Sequence, residues 1–305
     1  MNQLVIKNSI NNILSAKFRR TEEFKVFEIL LARDISDNTR KALISDLKHF
    51  INWFVNANGE VFTFRRLTVR DIVDYKRFCQ ETCSYTPKTT NRRLSSVKTL
   101  CNIAIEDGHL VKNPFKGIKQ LPSQPLAPKG LDKRELRALL KEVEIRGNLR
   151  DILIVEILCG AGLRVSELVN LKVGDLVMSD RKGFTNIRNS KGGKSRIVPL
   201  NLRLRTLITE YKQAFKPEEY LIIGQRGHLT PIAINKILEV YAKKADIKCS
   251  PHTLRHSFAY NYLLQNSGDI VGLSQILGHS NLNTTAIYTQ HRLEDLQERV
   301  EGMIY

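Results

Sequence analysis

No stretch of this sequence approaches the ~20 consecutive apolar residues that a membrane-spanning helix needs. The longest candidate, DILIVEILCGAGL, is broken by Asp151, Glu156 and two glycines. The opening MNQLVIKNSINNILSAKFRR places its basic pair after the apolar residues and offers no small-residue cleavage site, unlike a secretory signal. A soluble cytoplasmic protein with no segment spanning a membrane is expected. Cysteines are few: Cys79, Cys83, Cys101, Cys159 and Cys249 are odd in number and lack the close pairing of zinc ribbons or thioredoxin motifs, so reduced structural thiols are expected. His252 and His256 stand at i and i+4 without the intervening glutamate of a zinc-protease helix, and no metal is expected. GGKS at 192–195 is no phosphate loop, because the position that must hold the first glycine is Arg188. Acidic residues are also scarce. Against 48 Lys+Arg stand 31 Asp+Glu, a formal net charge of +17, which calls for a polyanionic partner, nucleic acid or an acidic membrane surface.

The 305 residues suffice for two domains, each with its own core. LPSQPLAPKG, residues 121–130, has three prolines, a glycine and no periodicity, and reads as a linker. It separates a domain at 1–120 from another at 131–305. Residues 1–130 hold 22 Lys+Arg against 12 Asp+Glu, and residues 131–305 hold 26 against 19, so both halves are basic and can share one ligand.

In the first half, SDNTRKALISDLKHFINWFV and TVRDIVDYKRFCQET carry apolar residues at helical spacing behind cap-type residues, Thr68 in the second case. TPKTTNRRLSSVKTLCNIAIEDG is more informative. Leu94, Val97, Leu100, Cys101 and Ala104 form one stripe, and Lys88, Asn91, Arg92, Ser95 and Lys98 the other face. After Lys88 no carboxylate occurs before Glu106, which favours a face that meets phosphates. A helical bundle that touches DNA through this helix is expected.

The second half is mixed. DKRELRALLKEVE, NLRDILIVEILCG and RVSELVNLKVGDL read as helices, GFTNIRNSKGGKSRIVPL as a β-hairpin with Lys191 at its tip, and SPHTLRHSFAYNYLL as a helix capped by Ser250 with Pro251 in its first turn. The class is mainly α with a small β-sheet, α+β.

Several polar residues in this half exceed what folding requires. Arg164 follows the turn GAGL, Lys191 sits on the hairpin, His252 and Arg255 are three apart on one helix face, and His279 precedes Tyr288 by nine. Singly, each has a structural reading: Arg164 can pair with Glu167, His279 can cap a helix, and Tyr288 can be a packed aromatic. Together they supply the parts for breaking a phosphodiester without water or metal. A tyrosine oxygen is the nucleophile, two arginines grip the non-bridging oxygens, a lysine protonates the leaving 5′ oxygen, and histidines serve as base or as donors to the phosphate.

GAGLRVSELVNL, SKGGKSRIVPL, HTLRHSFA and LGHSNLNTTAIYT closely resemble the tyrosine recombinases of the phage integrase and Xer group. The resemblance covers most of residues 130–290, and more loosely residues 35–120, which resemble the family's helical core-binding domain. It implies a site-specific recombinase that cuts and rejoins DNA through a 3′-phosphotyrosine on Tyr288 and a Holliday junction. By the same resemblance Arg164 and Arg255 bind the scissile phosphate, Lys191 is the general acid, His252 and His279 assist proton transfer and phosphate binding, and Glu167 braces the site. Implied partners are double-stranded DNA with a specific recombination site and a homotetramer on two synapsed sites, with or without a second recombinase. No cofactor is implied. At the chain's end Leu293, Leu296, Val300 and Met303 share one helical face, and the resemblance implies that this tail helix docks into a neighbouring protomer. Two alternatives stay open at this point: type IB topoisomerase-like activity, and a catalytically silent architectural or regulatory DNA-binding protein on the same scaffold.

Overall fold

The computed structural model describes residues 18, 21–122, 130–188, 195–225, 227–279, 281–289 and 301. Lys191, most of the linker, the first seventeen residues and the tail's apolar face lie outside the described residues. The chain divides into two compact units, residues 1–124 and 125–305. No helix among the described residues is long and apolar enough to cross a membrane.

The N-terminal unit is helical: α1 (Glu22–Ala32), α2 (Asp37–Asn58), α3 (Val69–Glu81) and α4 (Pro87–Glu106). Its boundaries follow from capping chemistry. Ser36 Oγ accepts from Thr39 N, Thr68 forms a reciprocal capping box with Asp71, and Thr86 Oγ1 accepts from Thr89 N ahead of Pro87 in the first turn of α4. The expected stripe of α4 is buried, together with Phe50, Phe54, Phe62, Ile72 and Tyr75 from the elements around it. Phe50 and Tyr75 meet edge to face at 4.9 Å, the favoured geometry for aromatic quadrupoles.

The C-terminal unit opens with α5 (Lys133–Arg146) and α6 (Leu149–Gly160), followed by the short α7 (Val165–Val169). RVSELVNLKVGDL was expected to form one helix. It is helical for five residues only and then passes through a 3-10 turn into strand β1 (Leu176–Met178), because Asp175 accepts from Lys172 N and closes a separate turn there. β1, β2 (Gly183–Arg188) and β3 (Ser195–Pro199) form an antiparallel sheet in that order, with Arg188 opposite Ser195 at the hairpin end. Then come α8 (Leu202–Phe215), the two-residue strands β4 (Ile223–Gly224) and β5 (Gly227–His228), α9 (Pro231–Lys244), α10 (Pro251–Gln265), α11 (Ile270–Leu277) and α12 (Asn283–Ala286), the last running into a 3-10 turn over Ile287–Thr289.

α6 is central to this unit. Leu153, Ile154, Val155 and Leu158 are fully buried with Leu204, Ile208 and Leu254 from α8 and α10. The two acids that break its apolar run are buried too, and each is paired. Tyr241 Oη donates to Asp151 Oδ2 at 2.8 Å, and Arg203 Nε to Glu156 Oε1 at 2.6 Å.

Candidate functional site

The turn after α6 aims the first arginine. Gly162 adopts φ +61°, and a Cβ there would lie 2.4 Å from Phe258 Cδ1, so both backbone and space demand glycine. The chain reverses and Arg164 becomes the residue that starts α7. Its backbone N–H donates to Glu167 Oε2 and its Nη1 to Glu167 Oε1, both at 2.8 Å. About a third of the Arg164 side chain stays exposed, 34%.

Glu167 is the hub. Arg196, reaching in from β3, donates Nη1 and Nη2 to its two oxygens at 2.8 and 2.7 Å and sends Nε to the Ile276 carbonyl at 2.7 Å. Burial by itself would raise the Glu167 pKa. The Arg196 hydrogen bonds, the Arg164 N–H and the charges of both arginines outweigh it and hold the carboxyl at about 2. The buried charge is therefore a fixed anion clamped by two guanidinium groups.

Arg255 projects from α10 into the same cluster and is buried. Its Nη1 donates to the Gly162 carbonyl at 2.7 Å, and its Nη2 to the Leu277 carbonyl at 2.8 Å and to His279 Nε2 at 3.2 Å. One side chain thus ties the α6 turn, the end of α11 and the histidine after it. Burial first, then the charge of Arg164, lowers its pKa to about 10, which leaves it cationic at neutral pH. Because a guanidinium can only donate, His279 Nε2 must accept, and the ring proton sits on Nδ1, donating to Thr285 Oγ1 at 2.8 Å. Burial and the positive charges of Arg255, Arg164 and Arg196 push His279 down to about 4, so it is neutral.

Tyr288 lies in the 3-10 turn after α12, and its ring is buried with Tyr260 edge-on at 5.5 Å. Its hydroxyl and His256 Nδ1 are 2.7 Å apart. Burial raises the phenol pKa, while Arg255 and Arg164 pull it back. At Tyr288, therefore, burial opposes the phenolate while two nearby arginines favour it.

Of the residues singled out from sequence, Arg164, Glu167, Arg255, His279 and Tyr288 come together. His252 is exposed near the start of α10, its ring 6.4 Å from that of His256. In the N-terminal unit Lys88, Arg92, Ser95 and Lys98 are exposed on α4. Asn91 is committed elsewhere, its Nδ2 donating to the Leu121 carbonyl and its Oδ1 accepting from Leu121 N, at 2.8 and 2.9 Å. Arg92 bonds the buried Asp46, to which Ser96 also donates. Arg196, His256 and Thr285 were missed. Their only sequence signals were weak: Arg196 falls on the inward face of β3 with Val198, and His256 shares a helix face with His252.

Residues 129–294 match the model of the phage integrase family, more than half of the chain, and residues 25–121 match its SAM-like domain. The chain belongs to the phage integrase family of tyrosine recombinases. The recombinase is 31% identical over 294 residues to tyrosine recombinase XerD of Listeria monocytogenes, covering 91% of this chain and 97% of that one. It is 42% identical over 179 residues to tyrosine recombinase XerA of Pyrococcus furiosus, where the match spans 57% of this chain and 61% of the relative. In fold it resembles the XerH site-specific recombinase bound to difH substrate, with a TM-score of 0.71 at 20% identity, covering 97% and 93% of the two chains. The recombinase is an enzyme that breaks and rejoins DNA strands in site-specific recombination.

Proposed function

We propose that Tyr288 is the nucleophile of this recombinase and that it forms a 3′-phosphotyrosine with one strand of a specific double-stranded DNA site. The convergence of Arg164, Arg255 and His279 around Glu167, from segments far apart in sequence, with Tyr288 in the field of both Arg255 and Arg164, carries this reading. Arg164, its side chain partly exposed, and Arg255 bind the non-bridging oxygens of the scissile phosphate, where charge builds as phosphorus becomes five-coordinate. Glu167 holds the arginines at fixed spacing, and it does so as an anion at any physiological pH. Neutral His279, its Nε2 accepting from Arg255 and its Nδ1 fixed by Thr285, assists phosphate binding by orienting Arg255. Lys191 protonates the departing 5′ oxygen, and His252, exposed at the site's edge, assists phosphate binding. The phosphotyrosine conserves the energy of the broken bond, so religation needs no cofactor.

On this reading the N-terminal unit is a core-binding domain that sets Lys88, Arg92, Ser95 and Lys98 against phosphates. Two sites are joined by a homotetramer, and strand exchange passes through a Holliday junction in the cytoplasm. The test is covalent capture: the full-length protein is incubated with fragmented host DNA, quenched with detergent, and the DNA ends attached to protein are sequenced. Enrichment of one short site with protein on the 3′ end is expected. Ends spread without sequence preference would indicate a topoisomerase-like activity, and binding without attached ends a silent relative.

A further inference from the structure

A phenol with a pKa of about 10 is ionised in roughly one molecule in a thousand at pH 7. Tyr288 is worse placed than that, since burial raises its pKa further. Some group has to accept its proton as the phosphorus bond forms. Three histidines lie near enough to be compared. His279 has both ring nitrogens committed, one to Arg255 and one to Thr285. His252 is exposed, and it faces the His256 ring rather than Tyr288. His256 touches the oxygen itself at 2.7 Å.

We propose that His256 Nδ1 takes the hydroxyl proton of Tyr288 as Oη attacks the scissile phosphate, and returns it when the strand is rejoined. The proposal rests on Tyr288 being the nucleophile. In the forward step the Oη–P bond forms and the P–O5′ bond breaks. The phenolic proton passes to Nδ1, making an imidazolium, and the 5′ oxygen leaves with a proton from the general acid. In the reverse step a 5′-hydroxyl attacks and gives its proton back to the general acid, the P–Oη bond breaks and Tyr288 regains its proton from His256. The tautomer required carries its proton on Nε2, leaving the Nδ1 lone pair for the hydroxyl.

The surroundings fit a base that must release its proton again. On its own helix His256 faces His252 and Arg255, and across from it sits Tyr288, while Arg255 in turn is surrounded by Arg164, Arg196, Glu167 and His279. Burial, followed by the charges of His252 and Arg255, lowers its pKa from 6.5 and keeps the ring unprotonated at neutral pH. Negative charge on the five-coordinate phosphate offsets the imidazolium while it lasts. Tyr260, edge-on to Tyr288, keeps the ring in line with His256.

The experiment follows first-turnover adduct formation by the full-length protein on a nicked duplex carrying the captured site, between pH 5 and 9. The wild-type rate is expected to climb with pH along an acid limb whose midpoint lies below 6.5 and then to level off. His256→Ala is expected to form adduct ~100-fold more slowly, with partial rescue by added imidazole. His256→Asn keeps an acceptor near the Nδ1 position but cannot carry a proton, and it is expected to be equally slow. A wild-type rate in His256→Asn would reduce His256 to a positioning residue and overturn the proposal, as would a wild-type profile without the acid limb. If the variants fold poorly, by circular dichroism and by DNA binding, the wild-type profile alone decides. Tyr288→Phe separates the two levels. An adduct in that variant defeats the nucleophile assignment itself, whereas its loss alongside a normal His256→Asn defeats only the proton acceptor.

Discussion

Replacing Glu167 by glutamine keeps the side chain's size and one of its acceptor oxygens while removing the charge that Arg164 and Arg196 clamp. The cost can be worked from proton affinity. A carboxyl that ionises at 4.5 when unfolded and at about 2 when folded contributes about 3 kcal/mol to the folded state at neutral pH, at about 1.4 kcal/mol for each tenfold change in affinity. Glu167 is only 8% exposed, so solvent screening removes little of this. Because the folded pKa is depressed, the contribution is fully present above pH 4.5 and is lost as pH falls toward 2. Glu167→Gln should therefore destabilise the C-terminal unit by about 3 kcal/mol at pH 7, and the gap from wild type should shrink to about 1.4 kcal/mol at pH 3. The single tryptophan, Trp53, reports on the N-terminal unit, so intrinsic fluorescence is the wrong probe. Denaturant-dependent hydrogen exchange, resolved by peptide over α6 and α10, reads the relevant unit. A neutral-pH gap under 1 kcal/mol, or one that does not change between pH 7 and 3, would refute the clamp as the source of the low pKa.

Gly162→Ala combines a left-handed backbone with a Cβ pressed into Phe258, and should cost about 1 to 3 kcal/mol in the same measurement. It should also slow adduct formation, because the Gly162 carbonyl anchors Arg255. Lys191→Ala should cleave poorly on an ordinary substrate and recover on one with a 5′-bridging sulfur, whose leaving group needs little protonation. Equal defects on both would remove the general-acid role. Replacing Lys88 and Lys98 together should flatten the log-log salt dependence of DNA binding by up to about two units, at roughly 0.9 for each phosphate that is no longer neutralised. Asn91→Ala should leave that slope unchanged, because its amide is spent on Leu121.

Much of this was readable in the sequence because it is local. Caps at Ser36, Thr68 and Ser250 sit within three residues of the groups they satisfy, and the stripe of α4 repeats at helical period. Arg164 and Glu167 were visible as a pair for the same reason. What stayed hidden is non-local. Arg196 looks like an ordinary strand residue until its guanidinium is seen to bridge Glu167 and the Ile276 carbonyl, 29 and 80 positions away. His256 acquires its meaning from a hydroxyl 32 residues on. Asn91 lies on the polar face of α4 by pattern, but its amide pairs with the backbone at Leu121, which no helical wheel can show. The overlong helix placed on RVSELVNLKVGDL failed where Asp175 closes a separate turn, a choice that periodicity does not record.

Whether Tyr288 carries the covalent link to DNA decides everything else about this site, and peptide mapping answers it. Adduct formed on a nicked duplex is digested with nuclease and protease, and the nucleotide-bearing peptide is located by mass spectrometry. One modified residue is expected, Tyr288, on the peptide containing LNTTAIYT, with no adduct from Tyr288→Phe despite intact DNA binding. A nucleotide on Tyr260, Tyr262 or any other residue, or an adduct that survives Tyr288→Phe, would contradict that assignment.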